Sequence, residues 1–247
     1  MEVNFAGTMM RLNSFMPAAA DRLRLFEKVV ARLGYPSPLV LSEEVRLGIE
    51  RAVDRALEQA RVQSVLRRAS LVKVDGGMIE GQGIRIHSRR WAQVAERAEK
   101  PASIFAFVVT LGRKLDETVA ALQKDSFFDA YLLDAAGSEL VEETAGALEE
   151  SLASRAAAEG MEITARFSPG YCDWDLKEGQ DALFRFLDTG SVGVRCNEAG
   201  MMTPLKTISG VVIAAPRLAV RVACSWCNQR ECLHRRSNGR AETDERV

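Results

Sequence analysis

An excess of charge of one sign is the first thing this sequence lacks. Lys and Arg number 33 against 34 Asp and Glu, so the formal net charge is −1. So even a balance gives no global electrostatic drive toward nucleic acid or an anionic membrane. Long apolar runs are lacking too, none approaching the roughly 20 residues needed to cross a bilayer. The opening stretch, MEVNFAGTMMRLNSFMPAAADRLRLF, has no basic start ahead of a clean apolar core and does not read as a signal peptide. The expectation is a cytoplasmic protein with no membrane segment. Histidine is scarce, with only His87 and His234. There is no internal repeat and no regular strand–helix–strand alternation, which argues against a doubly wound parallel sheet.

What is present is ordinary in bulk and specific in detail. Hydrophobic residues make up 47% and charged residues 27% of 247 positions, as in a soluble globular protein. That length suffices for one large domain or two small ones with a sizeable core. Residues 1–20 are apolar but aperiodic and read as loose. Asp21 to Leu33 predicts a helix, with Leu23, Phe26, Val29, Val30 and Leu33 on one face. Gly34 ends it, and Ser42 caps a second helix whose buried stripe is Val45, Ile49, Val53, Ala56 and Ala60. Residues 64–86 predict a pair of strands around the Gly76-Gly77 turn. A helix over about Ser88–Glu99 precedes the run Ser103-Ile-Phe-Ala-Phe-Val-Val-Thr110, which suits a central strand buried on both faces. Helices are predicted from about Arg113 to Gln123, over the long Ala/Leu/Glu-rich stretch Asp125–Glu159, and from about Asp175 to Leu187. Strands are predicted ending at Thr164–Arg166, near 192–196 and over 207–214. Gly137 and Gly146 fall inside the long helix and mark sites of close approach by backbone or ligand. The mixed order predicts an α+β fold, a mixed or antiparallel twisted sheet with flanking helices.

The most informative segment is Arg166-Phe167-Ser168-Pro169-Gly170-Tyr171. Pro169 stiffens the loop and Gly170 lets it turn. Arg166 supplies a planar cation suited to a carboxylate, and Tyr171 a flat face and a hydroxyl. On composition alone a plain strand-to-helix turn is the favoured reading. Two further blocks lie nearby: Ser138-Glu139-Leu140-Val141-Glu142-Glu143 upstream, and Asn197-Glu198-Ala199-Gly200-Met201-Met202-Thr203-Pro204 followed by Thr207-Ile208-Ser209-Gly210-Val211 downstream.

Taken together, the three blocks resemble the S-adenosylmethionine-binding reactivation domain of cobalamin-dependent methionine synthase, in its stand-alone bacterial form. The loop is similar to that family's Arg-Pro-x-Pro-Gly-Tyr signature, with Phe167 in place of the first proline. The downstream block resembles its Glu-Ser-x-x-Met-x-Pro and Val-Ser-Gly pattern, and the upstream block its helix with a ligand-facing glutamate, at Glu142. The match covers roughly residues 129–216, and 1–128 resembles more loosely the N-terminal part of the same fold. The family's paired tyrosines are absent, Val211–Ala215 standing there, and Gly160 stands where the full-length enzyme has a glutamate.

The resemblance implies an accessory protein that supports reductive methylation of oxidised cob(II)alamin, supplying a methyl group from S-adenosylmethionine while an electron donor supplies the electron. No general base is required, which fits so few histidines. There is no Asp-x-His-x-x-Gly cobalamin signature, so the corrin is expected on a partner, a methionine synthase core or another corrinoid protein. By the same resemblance Arg166 pairs with the methionine carboxylate and Glu142 faces the ammonium or sulfonium. The backbone at Ser168 and Gly170 contacts the ligand, Tyr171 packs on it, and Glu198 is a weaker candidate. Met201 and Met202 read better as core packing than as ligand contacts.

Five cysteines are present, and Cys224-Ser-Trp-Cys227-x4-Cys232-Leu-His234 is a compact ligand array over a tail of 217–236. Cys224, Cys227, Cys232 and His234 can complete a tetrahedral zinc site. Three thiolates with Cys196 or His234 can instead hold an iron–sulfur cluster, which would also act as electron source. Unligated thiols are the plain alternative. Residues 237–247 are polar and expected to be disordered. Two competing functions stand beside the reactivation reading. One is a non-catalytic metal-binding module docking on a corrinoid protein. The other is an ordinary S-adenosylmethionine methyltransferase, disfavoured because no Gly-rich loop follows an early strand.

Overall fold

The computed structural model describes residues 9–11 and 22–222. The ligand array Cys224, Cys227, Cys232 and His234, and the 237–247 tail, lie outside the described residues. The helices are α1 (Arg22–Arg32), α2 (Glu43–Gln59), α3 (Arg89–Glu96), α4 (Lys114–Leu122), α5 (Phe127–Ala158) and α6 (Leu176–Phe186). The strands are β1 (Met9–Arg11), β2 (Gln63–Asp75), β3 (Met78–Gly81), β4 (Ile84–His87), β5 (Ala98–Glu99), β6 (Ser103–Thr110), β7 (Glu162–Ile163), β8 (Arg195–Cys196), β9 (Met202–Thr203), β10 (Thr207–Ala215) and β11 (Arg217–Leu218).

A seven-stranded sheet runs in the order β4-β3-β2-β6-β10-β7, with β1 beside β2. Every pairing in it is antiparallel, and helices flank it, so the class is α+β. All eight residues of β6 are buried. Successive side chains point to opposite faces, so Phe105, Phe107 and Val109 enter one core and Ile104, Ala106 and Val108 the other. The first core packs α1, α2 and α5 on the sheet through Leu25, Ile49, Val53, Leu133, Leu140 and Leu148. The second packs α3, α6 and the segment bearing Phe167 and Trp174 on the opposite face.

Residues 64–86 form three strands rather than two, because β2 extends to Asp75 and Gln82-Gly83 makes a second turn. The N-terminal stretch is not wholly loose: Met9–Arg11 pairs with Val65–Arg67. The strand predicted to end at Arg166 stops at Ile163, and Arg166 lies beyond it.

Neither Gly137 nor Gly146 interrupts α5, which runs for 32 residues. Each costs about 1 kcal/mol against alanine, and a continuous buried stripe from Ala130 to Ala156 outweighs that. Ser126 caps the start by accepting from the Asp129 N–H at 3.3 Å. Gly160 ends the helix with φ at +71°. Its N–H donates to Ala157 O at 3.0 Å and that of Met161 to Ala156 O at 2.9 Å, the paired bonds of a left-handed stop.

Candidate functional site

Six residues beyond Gly160 and its helix stop, the chain delivers Arg166 beside β10, where Phe167 and Val211 exchange backbone hydrogen bonds of 2.9 and 2.8 Å. Gly210 makes room: a Cβ there would lie 2.8 Å from Arg166 Cγ and 3.0 Å from Phe167 O. Arg166 is thereby pressed against α5, its side chain only 8% exposed. Its Nη2 donates to Glu142 Oε2 at 2.7 Å. Its backbone N–H donates to Glu149 Oε2 at 3.0 Å, and Nη1 stands 3.5 Å from Glu149 Oε1. Nη1 is buried and makes no hydrogen bond of its own.

The acidic block of α5 divides by helical face. Glu139 pairs with Arg32, and Glu143 with Arg24 and Lys28, so both serve packing of α1. Glu142 faces the other way, to Arg166. Asp134, Ser138, Glu142 and Glu149 are spaced to share that face. Between the last two lies Gly146, where an added Cβ would meet nothing within 4 Å. The helix surface is open there. Gly137 is the opposite case: a Cβ would lie 3.1 Å from Lys206 Cε, so this glycine accommodates a buried lysine stem. Lys206 Nζ donates to Asp134 Oδ1 at 2.6 Å and to Ser138 Oγ at 2.9 Å.

The 168–174 loop is a compact turn, in which Gly170 N–H donates to Trp174 O at 2.9 Å and Tyr171 N–H to Ser168 O at 3.2 Å. Gly170 has φ at +86°. Ser168 is half-buried, and Tyr171 is 47% exposed. Phe167, where the resemblance has a proline, is buried between Trp91 and Trp174, with ring centroids 4.6 and 5.1 Å away. The downstream block is a hairpin, β8 and β9 pairing across a turn whose Asn197 Oδ1 accepts from the Ala199 and Met201 N–H groups. Glu198 is exposed in that turn. Met201 is exposed at 54%, not packed in a core as expected, because it sits on the turn side of the hairpin. Met202 is half-buried against the second core. Loop and hairpin lean on one side chain: Leu176 is 3.4 Å from a Cβ built at Gly170 and 3.1 Å from one at Gly200.

The structure thus brings Arg166 and Glu142 into contact, and joins the 168–171 loop and the 197–202 hairpin through Leu176. Sequence reading missed Glu149, Lys206, Asp134 and Asp116. A spacing of seven places Glu149 two turns along the face of Glu142, a signal available in the sequence. Among the described residues no group of His, Cys, Asp and Glu could hold a metal ion. Cys196, a candidate cluster ligand, is a free thiol that burial pushes up in pKa.

Asp116 on α4 accepts the Leu205 N–H at 2.7 Å, while its other oxygen is buried without a partner. Burial raises its pKa above the ordinary 3.8, and the Leu205 bond and Lys206 charge only partly oppose that. A carboxyl raised on folding contributes stability that is lost as pH climbs through its folded value. Asp116→Asn is therefore expected to flatten the fall in melting temperature as pH rises above about 4, the ordinary carboxylate range. An unchanged slope in a thermal-melt series would count against this.

The architecture is that of an α+β chain with an antiparallel sheet between helical layers. No family model matches the sequence, and no curated protein matches it. Among solved structures it is similar to the MetH reactivation domain bound to AdoHcy, with a TM-score of 0.58 and 16% identity. The similarity covers 87% of this chain and 81% of that one. At that identity the likeness is one of fold. No helix among the described residues is long and apolar enough to cross a membrane.

Proposed function

We propose that this chain binds S-adenosylmethionine against α5 at the Arg166–Glu142 pair and supports reductive methylation of a corrinoid held by a partner. That partner is a methionine synthase core or another corrinoid methyltransferase, and a separate donor supplies the electron. The observation that carries the reading is the meeting of three separated blocks around Arg166, beside an open helix surface at Gly146. The solved domain of similar fold, named as bound to AdoHcy, supports it. S-adenosylmethionine supplies an activated methyl group. The residues of this chain hold and orient it, which is the protein's main part where the reacting partner carries the difficult chemistry. Glu142 meets the cationic portion of the ligand. Tyr171 offers its face, and the turn through Ser168 and Gly170 borders the ligand. Glu198, in the hairpin turn, serves the rim.

Titration calorimetry of the full chain with S-adenosylmethionine tests the reading. One saturable site is expected. Gly146→Ala should raise stability by up to about 1 kcal/mol, since alanine is the better helix former, yet weaken binding by filling the open surface. Mixed with an oxidised corrinoid methyltransferase and a reductant, the wild-type chain should restore turnover. Absence of any S-adenosylmethionine binding would end the proposal.

A further inference from the structure

Exposed aromatic rings cluster in this molecule. Among the described residues there are four: Phe127, Phe128, Tyr131 and Tyr171. Three fall within the first turn and a half of α5, and the fourth is in the loop that follows Arg166. Phe128 turns toward α2, where a Cβ built at Gly48 would lie 3.5 Å from its ring. Phe127 and Tyr131 stay open, at 75% and 55% exposure. They lie one helical turn apart, and the same face of α5 continues through Asp134 and Ser138 to Glu142. Leu205, 59% exposed, stands beside them. Asp116 on α4 holds its backbone N–H at 2.7 Å, and Asp134 on α5 holds the ammonium of the next residue, Lys206, at 2.6 Å. An apolar side chain is thus presented on a backbone fixed from two helices. The charges beside it, Lys206 and Asp134, neutralise each other. Rigid aromatic and aliphatic side chains with little net charge among them are the composition of an interface core.

Distance selects the occupant. Along α5, Tyr131 stands about 16 Å and Phe127 about 22 Å from Glu142. A nucleoside-sized ligand anchored at Glu142 by its cationic portion does not cover both. A protein does: a standard interface takes about 800 Å² on each side, a disc about 16 Å in radius. Methyl transfer brings the accepting atom to within about 3.5 Å of the methyl group. Whatever carries the cobalt must therefore sit over Glu142, and its footprint takes in Leu205 and Tyr131, with Phe127 at the margin. We infer that Phe127, Tyr131 and Leu205 form the docking surface for the protein that carries the corrinoid. The inference rests on the proposed function and deepens it, by naming the face on which that partner lands.

The test uses the full chain and, as probe, a cobalamin-dependent methionine synthase core that carries cob(II)alamin and lacks a reactivation domain of its own. The triple variant Phe127→Ser, Tyr131→Ser, Leu205→Ser changes exposed side chains only. It should keep the circular dichroism spectrum and bind S-adenosylmethionine within about twofold of the wild-type chain. The concentration of chain that half-restores turnover of the core should rise about thirtyfold, the loss of two or three interface anchors. Val72→Ser is the control. That residue is 63% exposed and lies nine residues along β2 from the Gln63–Thr110 pair that abuts Lys206, about 30 Å away. It should leave the half-restoring concentration unchanged. A triple variant that docks and reactivates as well as the wild-type chain overturns the inference, and so does a wild-type chain that binds S-adenosylmethionine without engaging the core. A wild-type dimer that the triple variant dissolves in sedimentation assigns the face to a second copy and overturns it too. If the wild-type chain binds no S-adenosylmethionine, the proposed function falls and this inference with it.

Discussion

Phe167→Ala should lower the free energy of unfolding by about 3–5 kcal/mol, the range for deleting a large buried aromatic. The ring is 4% exposed and lies between two indoles, one edge-on at 61° and one nearly parallel at 16°. Both neighbours are themselves 2% exposed, and neither indole N–H has a hydrogen-bond partner. Nothing polar can compensate when the middle ring is removed, and the pocket cannot collapse without moving α3 or the turn at Trp174. The strand-like bonds between Phe167 and Val211 are backbone bonds and survive the change. Denaturant unfolding measures the loss, and near-ultraviolet circular dichroism should lose tryptophan signal in parallel. A cost below about 1 kcal/mol would mean that the stack contributes less than its burial implies.

The second large effect is expected from Arg166→Met. Removing one partner of a buried ion pair costs about 3–5 kcal/mol, because the remaining charge is left unpaired. Here Glu142 is partly exposed and can turn to water, so about 3 kcal/mol is the better expectation. Glu149 bears most of it, being 15% exposed and already committed to the Arg166 backbone N–H. The double variant Arg166→Met, Glu149→Gln should therefore be more stable than Arg166→Met alone. Additive losses in that double-mutant cycle would show that the two side chains are not energetically coupled.

Much of the fold was legible because local chemistry and tertiary role agree. The run from Ser103 to Thr110 reads as a doubly buried strand and is one, all eight residues being covered. Ser42 reads as a cap, and its Oγ accepts the Val45 N–H at 3.3 Å. The two glycines of α5 look alike in sequence and part company in space. Gly137 faces a lysine stem, while Gly146 faces nothing in the chain. Helical periodicity says which carboxylates share a face, not what comes to meet them. That Glu139 and Glu143 go to α1 while Glu142 and Glu149 go to Arg166 depends on where β10 carries Gly210. Lys206 was invisible for a similar reason. A lysine just before a strand is usually solvated, and only the gap at Gly137 lets this one turn inward.

Leu176 has a wider consequence. It stands at the start of α6, touching both the turn after Arg166 and the hairpin that ends in Pro204. Two surface loops far apart along the chain therefore share one hinge pin. Trimming that aliphatic to alanine would unseat both at once, although neither loop's own residues announce the dependence.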